Sequence, residues 1–189
     1  RGGYDELILL PSLRAHAGAH GGVVLTQKFL NGVAQYASIW PGRVTTLIQM
    51  RDEPTWDMDH VEVFCDGASP RIEVRPAASY ALRERIRNAA AVLMFLGPFE
   101  EETVRMCATL GVPVIFWTEF SPRTERQIID SETSKLVLRL RRKLWVAKAE
   151  HRRRRMLRLA AGVQCSGTPV YETYRRFNPN PLLFFDSRV

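Results

Sequence analysis

Residues 6–50 read ELILLPSLRAHAGAHGGVVLTQKFLNGVAQYASIWPGRVTTLIQM, and the order of patterns inside this stretch decides the fold. Residues 6–11 form a continuous apolar run of strand length. A glycine-containing stretch at 14–22 follows. Leu25, Phe29, Val33 and Tyr36 then recur at spacings of four, four and three, which lays one apolar stripe on a helix expected from about Val23 to Ile39. Pro41 and Gly42 break the chain, and residues 43–50, rich in β-branched side chains, supply a second strand. Strand, glycine loop, helix and strand in that order make a right-handed βαβ unit.

The alternation continues downstream. Residues 61–65 and 72–74 are short strand candidates separated by a turn at Asp66-Gly67, and 80–88 is a short helix. Residues 91–96 (AVLMFL) are a fully apolar strand, after which Glu100, Glu101 and Glu102 suit the positive end of the next helix. Gly111 ends that helix, and 112–117 (VPVIFW) is another buried strand. Residues 121–159 carry a long helical pattern with a break near 130–134. A strand restarts at 162–165, and Thr168 caps a helix with Pro169 at its first position and Val170, Tyr174 and Phe177 on its inner stripe. Residues 182–185 close the pattern as a last apolar strand. The fold class expected is α/β, a Rossmann-like, doubly wound, mostly parallel sheet with helices on both faces, in one domain over residues 1–189.

Composition bounds the function. Apolar residues make up 46% and charged residues 25%, the balance of a globular protein, which excludes disordered and collagen-like chains. No apolar run approaches the roughly 20 residues of a membrane span, and no signal sequence opens the chain, so a cytoplasmic location is expected. The chain begins at Arg1 and not at Met, as a piece of a longer protein would. Cys65, Cys107 and Cys165 show no CxxC spacing and read as buried thiols, with neither a disulfide framework nor a metal cage. The net charge of +7 is unevenly placed: residues 135–158 hold 11 basic side chains against the single acid Glu150, +10 in one segment, leaving −3 elsewhere. A local docking surface for an anionic partner follows from that concentration.

In α/β sheets the ligand lies beyond the carboxyl ends of the strands, which singles out residues 16–22 (HAGAHGG), Gly97-Pro98, 117–121 (WTEFS) and 166–169 (SGTP). The first could bring backbone NH groups close to a phosphate at a helix N-terminus, or it could be a plain turn. It is neither GxGxxG nor a P-loop. Without that fingerprint, and with no acidic residue ending the second strand, a nicotinamide-dependent oxidoreductase domain is excluded.

Gly21-Gly22-Val23 after the first strand, a strand ending Trp117-Thr118-Glu119, and a late strand Ala161-Gly162-Val163-Gln164-Cys165-Ser166 resemble the N-terminal domain of glycosyltransferases of the two-Rossmann-domain (GT-B) type. The resemblance is to the group 1, family 4-like enzymes, which include sucrose synthase and bacterial mannosyltransferases. It implies that this half binds the acceptor, a saccharide or a lipid-linked sugar. A C-terminal half starting near 184–189 would hold the nucleotide-sugar, and no metal or other cofactor is needed. Gly21 and Gly22 match the family's glycine pair, which faces the donor, while Trp117, Thr118, Ser166 and Thr168 become substrate-contact candidates. Glu119 stands where many members have a histidine. A carboxylate there would act as general base for an inverting displacement in place of the retaining reaction usual in the family.

Each of these positions also has a plainer reading. A glutamate at a strand end is commonly solvated, Ser166 and Thr168 can cap the following helix, and Trp40, Trp56, Trp117 and Trp145 can be core or rim residues, Trp117 being the best stacking candidate. His16 and His20 have helical metal-ligand spacing, but Ala-Gly-Ala between them makes no helix and no third ligand is placed. The basic segment is a solvated helix face or a device for anionic membrane at the inner leaflet, carried by Arg139, Arg141, Arg142, Lys143, Arg152 and Arg153 beside Leu136, Leu140, Leu144 and Trp145. It lacks the interleaved aromatics of a specific nucleic-acid site. The rival to a transferase is a non-enzymatic α/β interaction module with a basic docking helix.

Overall fold

A computed structural model of the protein describes residues 5–51, 59–64 and 70–185. The expected turn at Asp66-Gly67, Cys65, Trp56 and residues 186–189 lie outside the described residues. The fold is α/β and Rossmann-like, with a mostly parallel sheet flanked by helices, as the alternation of patterns implies. The chain divides into two compact units, one of Arg1–Met94 with Leu110–Val112 and one of Phe95–Thr109 with Pro113–Val189.

In the first unit β1 (Leu7–Leu10) is buried at all four positions, which is why it reads as an unbroken apolar run. It pairs in parallel with β4 (Val44–Met50) and with β7 (Ala91–Phe95), and β6 (Arg71–Val74) adds to β4, also in parallel. After Leu10 the chain returns to sheet geometry as β2 (Arg14–Ala17), which pairs in parallel with Gln49 and Met50 at the far end of β4. Arg43 O accepts from Leu7 N and Arg51 N donates to Ala15 O. Positions of like parity face one edge of a strand, so β2 takes over beside β4 where β1 stops. It then turns into the antiparallel β3 (Val23–Thr26), which pairs on its other side with β5 (His60–Val63).

The helix expected from Val23 therefore starts four residues later, as α1 (Gln27–Ile39). Thr26 Oγ1 accepts from Phe29 N at 3.2 Å and caps it. Leu25 belongs to β3 but shares a buried cluster with Ala15, Val23, Ile48 and Ile72, against which Phe29 packs, so a strand residue supplied the first tooth of an apparently helical stripe. The two short strand candidates correspond to β5 and β6, β5 pairing with β3 and β6 with β4. In α2 (Ser79–Ile86), Arg85 bridges Glu6 at 2.7 and 2.8 Å and Glu73 at 2.9 Å. The bonds from Arg85 hold the Glu6 carboxyl below the usual carboxylate range, against the opposing effect of burial.

In the second unit α3 (Glu101–Leu110) begins beside its acidic residues and stops at Gly111, whose φ of +70° is the left-handed conformation glycine accepts freely. The strands β8 (Val114–Thr118), β9 (Gly162–Ser166) and β10 (Pro181–Phe184) run parallel, in the register Thr118↔Cys165 and Phe184↔Ser166. The long helical pattern divides at the expected place into α4 (Pro122–Glu132) and α5 (Leu136–Leu159). Ser121 Oγ caps α4 at 3.1 Å. The cap expected at Thr168 is displaced: Gly167, at φ +82°, is the N-cap of α6 (Thr168–Tyr174), and Thr168 is already helical.

Candidate functional site

The ligand edge of the first unit is the β2–β3 hairpin at the carboxyl end of β4. Its turn runs from Gly18 to Gly22, closed by Gly18 N donating to Gly22 O at 2.8 Å. Gly21 sits at φ +88°. The turn leads into a strand and not into a helix N-terminus, which is the plain-turn geometry of the two that the sequence left open. The oxyanion it holds is the chain's own: Glu62 Oε1, on β5, accepts from His20 N at 3.0 Å and from Gly22 N at 2.9 Å. At two of its glycines the packing leaves no room for a side chain, since a Cβ on Gly22 would lie 2.7 Å from Val63 O, and one on Gly18 would overlap the Glu62 carboxylate.

Glu62 Oε2 meets His20 Nδ1 at 2.9 Å. A carboxylate only accepts, so Nδ1 is the donor in this bond. The imidazole is 79% exposed while the carboxylate that orients it is 19% exposed. The bond to His20, aided by the two backbone amides and opposed by burial, holds the Glu62 carboxyl below the usual range. His16 on β2 and His60 on β5 meet edge-on with ring centroids 5.6 Å apart. Three of the chain's four histidines thus lie on this hairpin or on β5 beside it. The sequence identified His20 only by its spacing from His16. Its partner Glu62 went unnoticed because it arrives from 42 residues downstream, and the signal available was the alternation His60-Val61-Glu62-Val63, which puts His60 and Glu62 on one face.

The ligand edge of the second unit collects the other expected residues. The parallel register brings the ends of β8 and β9 level, so Glu119 follows β8, Ser166 ends β9 and Thr168 comes two residues later. Glu119 is exposed. Thr118 is buried, and Trp117 is half-buried with its ring edge-on to Phe95 at 6.0 Å. Gly21 and Gly22 belong to the first unit and Glu119 to the second. Cys107 and Cys165 are fully buried thiols pushed up to about 11 by that burial, which leaves them inert as nucleophiles.

The basic segment is less uniform than its composition. Arg153 is 6% exposed and bonds Glu125 at 2.7 and 2.8 Å, so it belongs to the interior and not to an anion-binding face. Burial opposes its charge, and the bond and charge of Glu125 more than offset this. Arg139 and Arg142 donate to Thr133 O and Oγ1, and Lys143 pairs with Asp130, ties that fasten α5 to α4 as an antiparallel hairpin. Glu150, buried, accepts from Tyr174 Oη at 3.0 Å and from Arg154 at 2.7 Å. Burial, then the Glu150 charge, pushes the Tyr174 phenol far up. Among the described residues no group of three or more His, Cys, Asp or Glu side chains could hold a metal ion. No helix there is long and apolar enough to cross a membrane.

No family model matches the chain, and no curated protein matches its sequence. Solved structures match its fold. UGT2 of Phytolacca americana, complexed with UDP-2-fluoroglucose and pterostilbene, aligns over 97% of this chain and 54% of its own at TM-score 0.54 and 11% identity. A UDP-glucosyltransferase from Polygonum tinctorium capable of glucosylating indoxyl aligns over 98% and 52% at 0.50 and 12%. Medicago truncatula UGT71G1, complexed with UDP-glucose, aligns over 98% and 52% at 0.50 and 9%. The chain spans about half the length of each of these solved chains, and at such identities the likeness is one of fold.

Proposed function

We propose that the chain is the N-terminal, acceptor-binding half of a GT-B glycosyltransferase of the group 1, family 4-like kind, which moves a sugar from a nucleotide-sugar to a saccharide or lipid-linked acceptor. The observation that carries this reading is the continuous likeness in fold, over 97% of the chain, to a glycosyltransferase solved with a UDP-sugar analogue. The His20–Glu62 pair adds the chemistry. An acceptor hydroxyl gives its proton to His20 Nε2 as its oxygen bonds the anomeric carbon, the bond to the nucleotide diphosphate breaks, and Glu62 steadies the imidazolium. One displacement of this kind inverts the anomeric centre.

Glu119 is the competing base. His20 is the better placed of the two, because Glu62 aims its imidazole in advance. Gly21 and Gly22 face the donor, and Trp117, Thr118, Ser166 and Thr168 are substrate contacts at the edge that carries Glu119. The nucleotide is held by the C-terminal half, without a metal or further cofactor. The experiment is sugar transfer by the protein joined to its nucleotide-binding half, followed as nucleotide diphosphate released from UDP- and GDP-sugars, with the product anomer read by NMR. Transfer with inversion supports the reading, and donor binding without transfer to any saccharide or lipid-linked sugar overturns it.

A further inference from the structure

We propose that the outer face of the α4–α5 hairpin docks on a bilayer carrying anionic headgroups, an inference that stands whether or not the chain transfers sugar. α5 has 24 residues, about 36 Å of helix, and its two halves differ. The buried residues run from Val146 to Leu157, and the first ten positions hold none. Those ten are nonetheless rich in large apolar side chains. Leu136, Val137, Leu140 and Leu144 are 75%, 83%, 60% and 63% exposed. Their spacing places them on one stripe about 100° wide, on the side of the helix opposite Val146, Arg153 and Leu157. Arg141 and Lys148 follow along one flank of the stripe, and Arg155 and Arg158 continue it toward the C-terminus, so the outer face passes from apolar to basic along the helix.

A soluble domain rarely leaves such a stripe uncovered. A second copy would set one +10 segment against another, and like charges so concentrated repel. An uncharged apolar partner would leave the cations unmatched. An anionic bilayer complements both halves: the leucines enter the boundary between headgroups and acyl chains while Arg141, Lys148 and Arg158 stay among the phosphates. Arg139, Arg142 and Lys143 serve the hairpin itself through Thr133 and Asp130, and Arg153 is interior. The cations that read the surface are thus a subset of the basic segment.

The test is co-sedimentation of the 189-residue chain with vesicles of phosphatidylserine and phosphatidylcholine, and with vesicles of phosphatidylcholine alone. Binding to the mixed vesicles that weakens with salt is expected, with little to the neutral ones. Arg141→Gln and Lys148→Gln should each weaken it about fivefold. Leu140→Ser with Leu144→Ser should weaken it about tenfold or more. These residues are exposed, so the variants keep the native circular dichroism. Equal binding to both vesicle types, or binding to neither, overturns the proposal. So does salt-sensitive binding that the leucine variants leave intact, which marks surface contact with a polyanion, and so does a dimer in sedimentation velocity that the same variants dissolve, which assigns the face to a second copy.

Discussion

Glu62 and Glu119 each stand at a ligand edge, one in each unit, and they are held in opposite ways. Glu62 takes two backbone amides on one oxygen and the His20 ring on the other, under a turn that closes on it at Gly18 and Gly22. Glu119 follows its strand into solvent. A fixed carboxylate can set the direction and tautomer of a neighbour before any ligand arrives, whereas an exposed one must be ordered by the ligand it meets. The contrast teaches that position after a strand marks where chemistry could occur, and that a second element packed onto the first decides what is poised for it.

The largest effect that would break this contrast is on turnover. On the proposed function, in the protein joined to a nucleotide-binding half, His20→Ala should lower kcat by about 10²- to 10⁴-fold. Glu62→Gln keeps the shape but removes the charge behind the imidazolium, and should cost about 10²-fold with acceptor KM little changed. Steady-state kinetics decide it, and a Glu62→Gln protein that loses thermal stability while keeping kcat makes the pair structural. Next in size is the turn. Gly22→Ala places a methyl against Val63 O and should destabilise by about 1–3 kcal/mol in urea melts. Gly21→Ala meets nothing within 4 Å and carries only the cost of its φ of +88°, about 1–2 kcal/mol.

Local patterns made most of the fold legible. Buried on both faces, Leu7–Leu10 and Ala91–Phe95 announce central parallel strands, and the α4–α5 break and the stop at Gly111 fall where capping chemistry puts them. Readings failed where a long-range contact gave a residue a partner its neighbours do not show. Leu25 looked helical because the core it shares with Phe29 is assembled from β2, β3, β4 and β6. Gly21-Gly22 could be read as a phosphate loop or a plain turn because the carboxylate it holds lies forty residues away. Arg153 looked like one more surface cation because nothing near it in sequence shows Glu125 on the facing helix. The site was legible as a set of strand ends, and the His20–Glu62 pairing was not, since strand register decides which face meets which.

Glu119→Gln sharpens the contrast from the other side. A carboxylate ordered by its ligand contributes binding more than chemistry, so acceptor KM should rise about tenfold with kcat within about threefold of the parent. A loss of 10²-fold or more in kcat, with His20→Ala near normal, would exchange the two roles and make Glu119 the base.

The smallest effect is on proton affinity. The Glu62 carboxyl is held below the ordinary range, first by the bond from His20 and then by the Gly22 and His20 amides, with burial acting the other way. A carboxyl lowered by folding stabilises the native state fully above its unfolded pKa, and that stabilisation is lost as pH falls through the lowered value. The hairpin should therefore keep its protection at neutral pH and loosen only in acid below the usual glutamate range, seen as faster hydrogen exchange at the Gly22 amide. His20→Ala removes the largest cause and leaves both amides, so the Glu62 titration followed by carboxyl NMR should move up toward an ordinary glutamate while the Gly22 amide stays bonded. A titration that does not move would assign the lowering to the turn alone and leave the imidazole held by Glu62 without holding Glu62 in return, a one-sided arrangement in which Glu62→Gln should disturb His20 far more than His20→Ala disturbs Glu62.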